Sequence, residues 1–157
     1  MSKYSFLYDK NKVLEHIHSV LDGAFVNLYT YGYTYWELEF VSKELDTNKL
    51  IASELITPNP EKWWKSFNNP PIDLASKEKD ADDTLSAMVL THSMNSLVRN
   101  WDVHEDNSLE IAFDNNGVIV VPSVQDINLG FSWIMRTEKT EEASICNCDE
   151  LYYRYRL

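Results

Sequence analysis

Apolar and polar positions alternate most cleanly between Asp106 and Ser123, in the stretch DNSLEIAFDNNGVIVVPS. Leu109, Ile111 and Phe113 interleave with Ser108, Glu110 and Ala112, which predicts a strand with one apolar face. Asp114, Asn115, Asn116 and Gly117 then supply a turn, because Asn and Gly tolerate positive φ at low steric cost. Val118 to Val121 is a β-branched run that stops at Pro122, which cannot donate to a ladder. A hairpin at the heart of a sheet is predicted.

The period changes elsewhere. Val13, Leu14, Ile17, Val20 and Leu21 recur at helical spacing, with Asp9 placed to cap the start and Gly23 to close the end. AFVNLYTYGYTYWELEFV, from Ala24, predicts one or two strands with Gly32 at a bend or bulge. Val26, Leu28 and Thr30 are expected on one face, with Tyr29, Tyr31, Tyr33 and Tyr35 on the other side. A third strand is expected from Leu50 to Ile56, and Trp36 and Trp133 are expected in the core. DDTLSAMVLTHSMNSLVRNW predicts the strongest helix, capped by Asp82 or Asp83, with Leu85, Met88, Val89, His92, Ser96 and Leu97 along one side. A strand from Phe131 to Thr137, an acidic loop and a closing strand LYYRYRL complete the chain.

Residues from about 57 to 83 differ in character. They hold four of the five prolines, the pair Trp63-Trp64 and the run KEKDADD, which predicts a short helix near Glu61 to Phe67 and then an irregular insertion. Residues on either side of it echo one another. His18-Ser19 and His92-Ser93, Val26 and Val98, and Phe40 and Phe113 recur 72 to 74 residues apart. That spacing predicts two related α-β-β halves pairing into one sheet. The expected fold is a single α+β domain over residues 1–157, mainly antiparallel sheet, with two principal helices packed on one face.

Composition narrows the partner more than the chemistry. Against 14 Lys and Arg stand 25 Asp and Glu, a net charge of −11. Such a field disfavours nucleic acid and anionic membranes and attracts a basic protein. No stretch approaches the ~20 apolar residues of a membrane span, and the N-terminus has no signal-peptide pattern. Cys146 and Cys148 form one C-x-C unit, too few for a zinc site or a disulfide scaffold. Cytosolic residence is the expectation.

No enzyme, metal or cofactor signature is present. His16 and His18 point to opposite sides of one helix, and the acidic neighbours of Cys146 make its thiol a poor nucleophile. The serines lack a G-x-S-x-G context, and the four glycines form no phosphate loop. What remains is acidic residues beside aromatic ones, the pairing that steers and anchors a basic partner. The candidate contact residues are Trp63, Trp64, Asp80, Asp82 and Asp83, and then Trp101, Asp102, His104, Glu105 and Asp106.

SLEIAFDNNGVIVVPS followed by FSWIM is similar to a strand-turn-strand and strand-Trp pattern in small families of bacterial immunity proteins. Those proteins neutralise toxins of contact-dependent or polymorphic systems. The resemblance implies a cytosolic, non-catalytic protein that binds a cognate toxin C-terminal domain, often a nuclease, and blocks its active site or a neighbouring surface. It carries no individual residue across. An alternative is a small-molecule-binding or regulatory module with a pocket at Tyr29 to Tyr35. An enzyme built on His104 and Asp102 ranks last.

Overall fold

A computed structural model describes residues 2–32, 35–58, 79–124 and 129–157, the side chains at 79–82 and 84 excepted. Among these, ten strands and two helices follow one another. They are β1 (Tyr4–Leu7), α1 (Lys10–Leu21), β2 (Phe25–Gly32), β3 (Tyr35–Val41), β4 (Thr47–Ala52) and α2 (Lys79–Ser93). Then come β5 (Val98–Val103), β6 (Leu109–Phe113), β7 (Val118–Val121), β8 (Trp133–Thr137), β9 (Ala143–Asn147) and β10 (Glu150–Arg156). Seven strands form an antiparallel sheet in the order β1-β10-β9-β8-β4-β3-β2, and β5-β6-β7 form a second sheet. The fold is α+β and mostly sheet.

One face of the large sheet carries the core. Pairing sets Trp36 beside Ala52, Trp133 and Cys146 in one row, and Leu38 beside Leu50 and Met135 in the next. All seven side chains are buried there with Val13, Ile17 and Leu21 of α1, Val89 and Leu90 of α2, and Ile111, Phe113 and Ile119 of the small sheet. α1 lies over β9 and β10, whereas α2 sits between β2 and β7. The α1 start is as its sequence predicts: the Asp9 carboxylate accepts the backbone N–H of Asn11 at 2.9 Å. Gly23 takes φ +68° just past its end.

The internal echo is visible in the pairing. Val26 faces Phe40 and Val98 faces Phe113, and each valine is followed at once by a β-bulge. Gly23 and Asn95, 72 residues apart, both turn the chain with positive φ after their helices. Buried helix positions keep the same offset: Val13 with Leu85, Ile17 with Val89, Leu21 with Ser93. The His-Ser pairs do not, since that offset sets exposed His18 against buried Leu90. Nor do the halves share one sheet. Single bridges, Phe25 to Leu97, Val26 to Met94 and Ile56 to Val120, link the two meanders.

Several expectations change for identifiable reasons. The bulge after Val26 inverts the register, so Tyr29 and Tyr31 share the face of Val26 while Leu28 turns outward, half exposed. α2 ends at Ser93, and left-handed Asn95 sends the chain into β5, so 98–101 are strand rather than helix. His92 is exposed, not on the buried side. α2 is described from Lys79, which sets Asp82 and Asp83 inside the helix instead of at its cap. β4 begins earlier, at Thr47, and β1 and β9 are strands not foreseen. Most of the proline-containing insertion, including the short helix expected at 61–67, lies outside the described residues.

The Asp106–Ser123 hairpin belongs to the small sheet, yet its inner residues are as predicted: Leu109, Ile111 and Phe113 are all buried. Its turn is tied to α2. The Asn115 amide donates to the His92 carbonyl at 3.0 Å and to Ser93 Oγ at 3.1 Å. Asn116 takes the positive φ, whereas Gly117 is required by closeness: a Cβ there would lie 2.8 Å from Ser93 Oγ and 3.1 Å from Val89 Cγ1. Gly117→Ala is therefore expected to destabilise the protein by about 1–3 kcal/mol, read as a lower urea midpoint at unchanged slope.

Candidate functional site

The tip of the β5–β6 hairpin is built to hold carboxylates outward. The His104 N–H donates to the Ser108 carbonyl at 2.9 Å, and Asn107 closes the turn with φ +67°. The Asp106 carboxylate accepts both the Ser108 N–H (2.9 Å) and its hydroxyl (2.6 Å). Those bonds to the charged form hold the Asp106 carboxyl below its ordinary pKa. Asp102 and Glu110 face each other across the two strands. His104 sits between them, with Nδ1 3.3 Å from Asp102 Oδ2 and Nε2 3.7 Å from Glu110 Oε1.

This tip is anchored on the large sheet. Trp133, fully buried, donates its indole N–H to the Asn107 carbonyl at 3.0 Å. The Asn107 amide reaches the Cys148 carbonyl at 3.5 Å, which brings the β9–β10 turn alongside with Asp149 and Glu150 exposed. Six carboxylates thus gather on two touching turns and the strand ends beside them: Asp102, Glu105, Asp106, Glu110, Asp149 and Glu150. Among the described residues none of the six forms an ion pair with Lys or Arg. The open face of the large sheet contrasts with this. There Lys49 reaches Glu37 (3.3 Å) and Glu138 (4.0 Å), and Arg136 reaches Glu138 (2.9 Å). Trp133→Phe keeps the ring burial but leaves the Asn107 carbonyl unpaired. It is expected to cost about 1–3 kcal/mol and to raise hydrogen exchange at 104–108 above that of the large sheet.

The remaining predicted residues are placed as follows. Asp102, His104, Glu105 and Asp106 lie together on the tip. Trp101 does not join them as an exposed anchor, because successive strand residues face opposite ways. It is half-buried on the core side, its ring 6.4 Å from that of His18. Asp83 accepts a hydrogen bond from the Tyr31 hydroxyl at 2.9 Å. Tyr31 pairs with Trp36, in the same row as Ala52 and Trp133. Asp83 therefore stands at the same end of the sheet as the tip, held over a strand three places from the one that anchors the tip. The backbone puts Asp80 and Asp82 in that same turn of α2; Trp63 and Trp64 lie outside the described residues.

Glu110, Asp149 and Glu150 were not legible as members of this cluster. Their acidity was visible, but only strand order places the β9–β10 turn beside a tip some forty positions earlier. The tyrosine face also reads differently. Tyr29 bonds to Thr91 at 2.6 Å and Tyr31 to Asp83, both onto α2, while Tyr35 lies on the opposite face of the sheet.

A second polar cluster surrounds His16, buried beneath α1. Its Nδ1 lies 2.7 Å from Ser144 Oγ and its Nε2 2.8 Å from Thr137 Oγ1. Burial pushes its pKa from 6.5 down to about 4, against a smaller upward pull from Glu142. Glu142 is held below its ordinary pKa, chiefly by the hydrogen bond from the Tyr153 hydroxyl. Clefts of about 290 and 250 Å³ flank this group and share Ser19 and Glu142 as a wall. Ser144 is itself fully buried, so its hydroxyl cannot reach a substrate. Cys146 is buried and its thiol pushed up to about 12, mainly by burial, which keeps it protonated. Among the described residues no three His, Cys, Asp or Glu side chains converge to hold a metal ion. No helix there is long and apolar enough to cross a membrane.

No family model, curated protein or solved structure matches the chain.

Proposed function

We propose that this protein is a non-catalytic inhibitor that binds a basic protein domain, in the manner of an immunity protein with its cognate bacterial toxin. The observation that carries this is the acidic end: six carboxylates on two touching turns and the strand ends beside them, without a Lys or Arg ion pair among the described residues, in a chain of net charge −11. A rigidly held set of like charges steers an oppositely charged partner and speeds encounter. Rigidity comes from the Asp106–Ser108 bonds and the Trp133 anchor. Asp83, and Asp80 and Asp82 by backbone position, extend the acidic end along the sheet.

The test is co-expression with the C-terminal domain encoded by the neighbouring open reading frame. A basic domain that copurifies, and that harms cells only when this protein is missing, supports the proposal. The complex is expected to weaken steeply between about 0.05 and 0.5 M salt, as exposed charges are screened. A neighbouring frame whose product neither copurifies nor harms cells would overturn it.

A further inference from the structure

The two edges of the large sheet are treated differently. At β2 the bulge after Val26 breaks the ladder, and the chain leaving α2 covers the edge. There the Asn95 N–H donates to the Val26 carbonyl at 3.0 Å. Among the described residues β1, the opposite edge, has neither a bulge nor a covering segment. The Leu157 N–H donates to the Lys3 carbonyl at 3.1 Å, so residues 3, 5 and 7 bond to β10 while Tyr4, Phe6 and Tyr8 aim their backbone groups away from the sheet. The Ser2 hydroxyl folds back on Tyr4. Beyond it, the Phe6 N–H and carbonyl have no partner among the described residues. Phe6, Leu7 and Tyr8 are 47%, 39% and 72% exposed.

We infer that β1 pairs antiparallel with β1 of a second copy, about a two-fold axis through Phe6, to make one continuous fourteen-stranded sheet. That register is complementary to itself. Phe6 faces Phe6 and exchanges both backbone hydrogen bonds, and Tyr4 faces Tyr8 once the Ser2 hydroxyl releases the Tyr4 N–H and carbonyl that it holds in the single chain. Lys3 faces Asp9 of the other copy twice, and both side chains are exposed. Asp9 is already in extended conformation, φ −130° and ψ 107°, so the ladder can reach it. On the outer face Phe6 and Tyr8 pack with Tyr152, at 5.8 and 5.4 Å between ring centres, and the axis doubles this aromatic cluster. Lys3, Arg154 and Arg156 stand along this edge, where Glu141 pairs with Lys3 (3.3 Å) and Arg156 (3.0 Å), so two copies meet on a less acidic part of the chain than the six-carboxylate end. Because the strand is short, the contact is small and the dimer reversible.

Sedimentation equilibrium on the full chain tests this. Mass is expected to rise with concentration from 18.3 kDa toward double. Phe6→Pro removes an N–H that faces away from β10 together with the ring that packs on Tyr152, so it is expected to lower the melting temperature only slightly and to stay monomeric. Should Phe6→Pro fail to fold, Phe6→Cys serves instead. On the axis its Cα atoms lie about 5.5 Å apart, within disulfide reach, whereas Leu7→Cys faces Ser5 and is expected not to cross-link. A chain monomeric up to about 1 mM overturns the inference. So does a folded Phe6→Pro variant that still dimerises, or a Leu7→Cys variant that cross-links as well as Phe6→Cys.

Discussion

Lowering the pH from 6.5 to 4.5 is expected to remove roughly 2–3 kcal/mol of stability through one side chain, His16. In the folded chain His16 is neutral down to about pH 4, because burial penalises the cation more than Glu142 favours it; its two ring nitrogens lie against the hydroxyls of buried Ser144 and half-buried Thr137. In the unfolded chain it takes up a proton near 6.5. Between those values the unfolded state binds more protons, so stability is complete above pH 6.5 and falls steadily as the pH drops toward 4. Glu142 and Tyr153 face the ring from the large sheet, and Glu142 is the only one of the two whose titration adds to acid loss. Its contribution sets in below its ordinary 4.5, so the window from 6.5 to 4.5 belongs mainly to His16. Urea unfolding at pH 7, 5.5 and 4.5 measures the slope. His16→Gln is expected to be less stable at pH 7 but nearly flat across the window. A wild-type protein equally flat there would mean that His16 is not held neutral.

Reversing two charges at the acidic end, Glu105→Lys with Glu150→Lys, is expected to slow association with the basic partner about tenfold at low salt. Dissociation is expected to change much less, because these side chains are exposed and act mainly by steering. Asp106 is left unaltered because it holds the loop through Ser108. The control is Asp22→Lys with Glu44→Lys, both exposed and equal in net-charge change, which lie beside Thr137 at the other end of β8 from Trp133. Stopped-flow mixing at two ionic strengths separates the outcomes. Equal slowing by both pairs would reduce the acidic end to a matter of net charge, and no slowing by either would remove electrostatic steering altogether.

What the sequence determined by itself was local. Asp9, the spacing from Val13 to Leu21 and Gly23 specify α1, because capping and helical period act within a few residues. The alternation through Leu109, Ile111 and Phe113 specifies a buried strand, and the burial of Trp36 and Trp133 follows from the same rule. The acidic surplus was equally plain. Tertiary structure decided the rest. A one-residue bulge after Val26 exchanged the faces of Leu28 and Tyr29, and nothing in the side-chain pattern marks it. Left-handed Asn95 turned an apparent helix into β5, since apolar positions near 97–101 suit either period. His16 looks from sequence like any helix histidine. Only β8 and β9, more than a hundred residues later, bring Thr137 and Ser144 to its two nitrogens. The acidic end arose the same way, because charge adds over distance in space and strand order, not chain order, sets those distances.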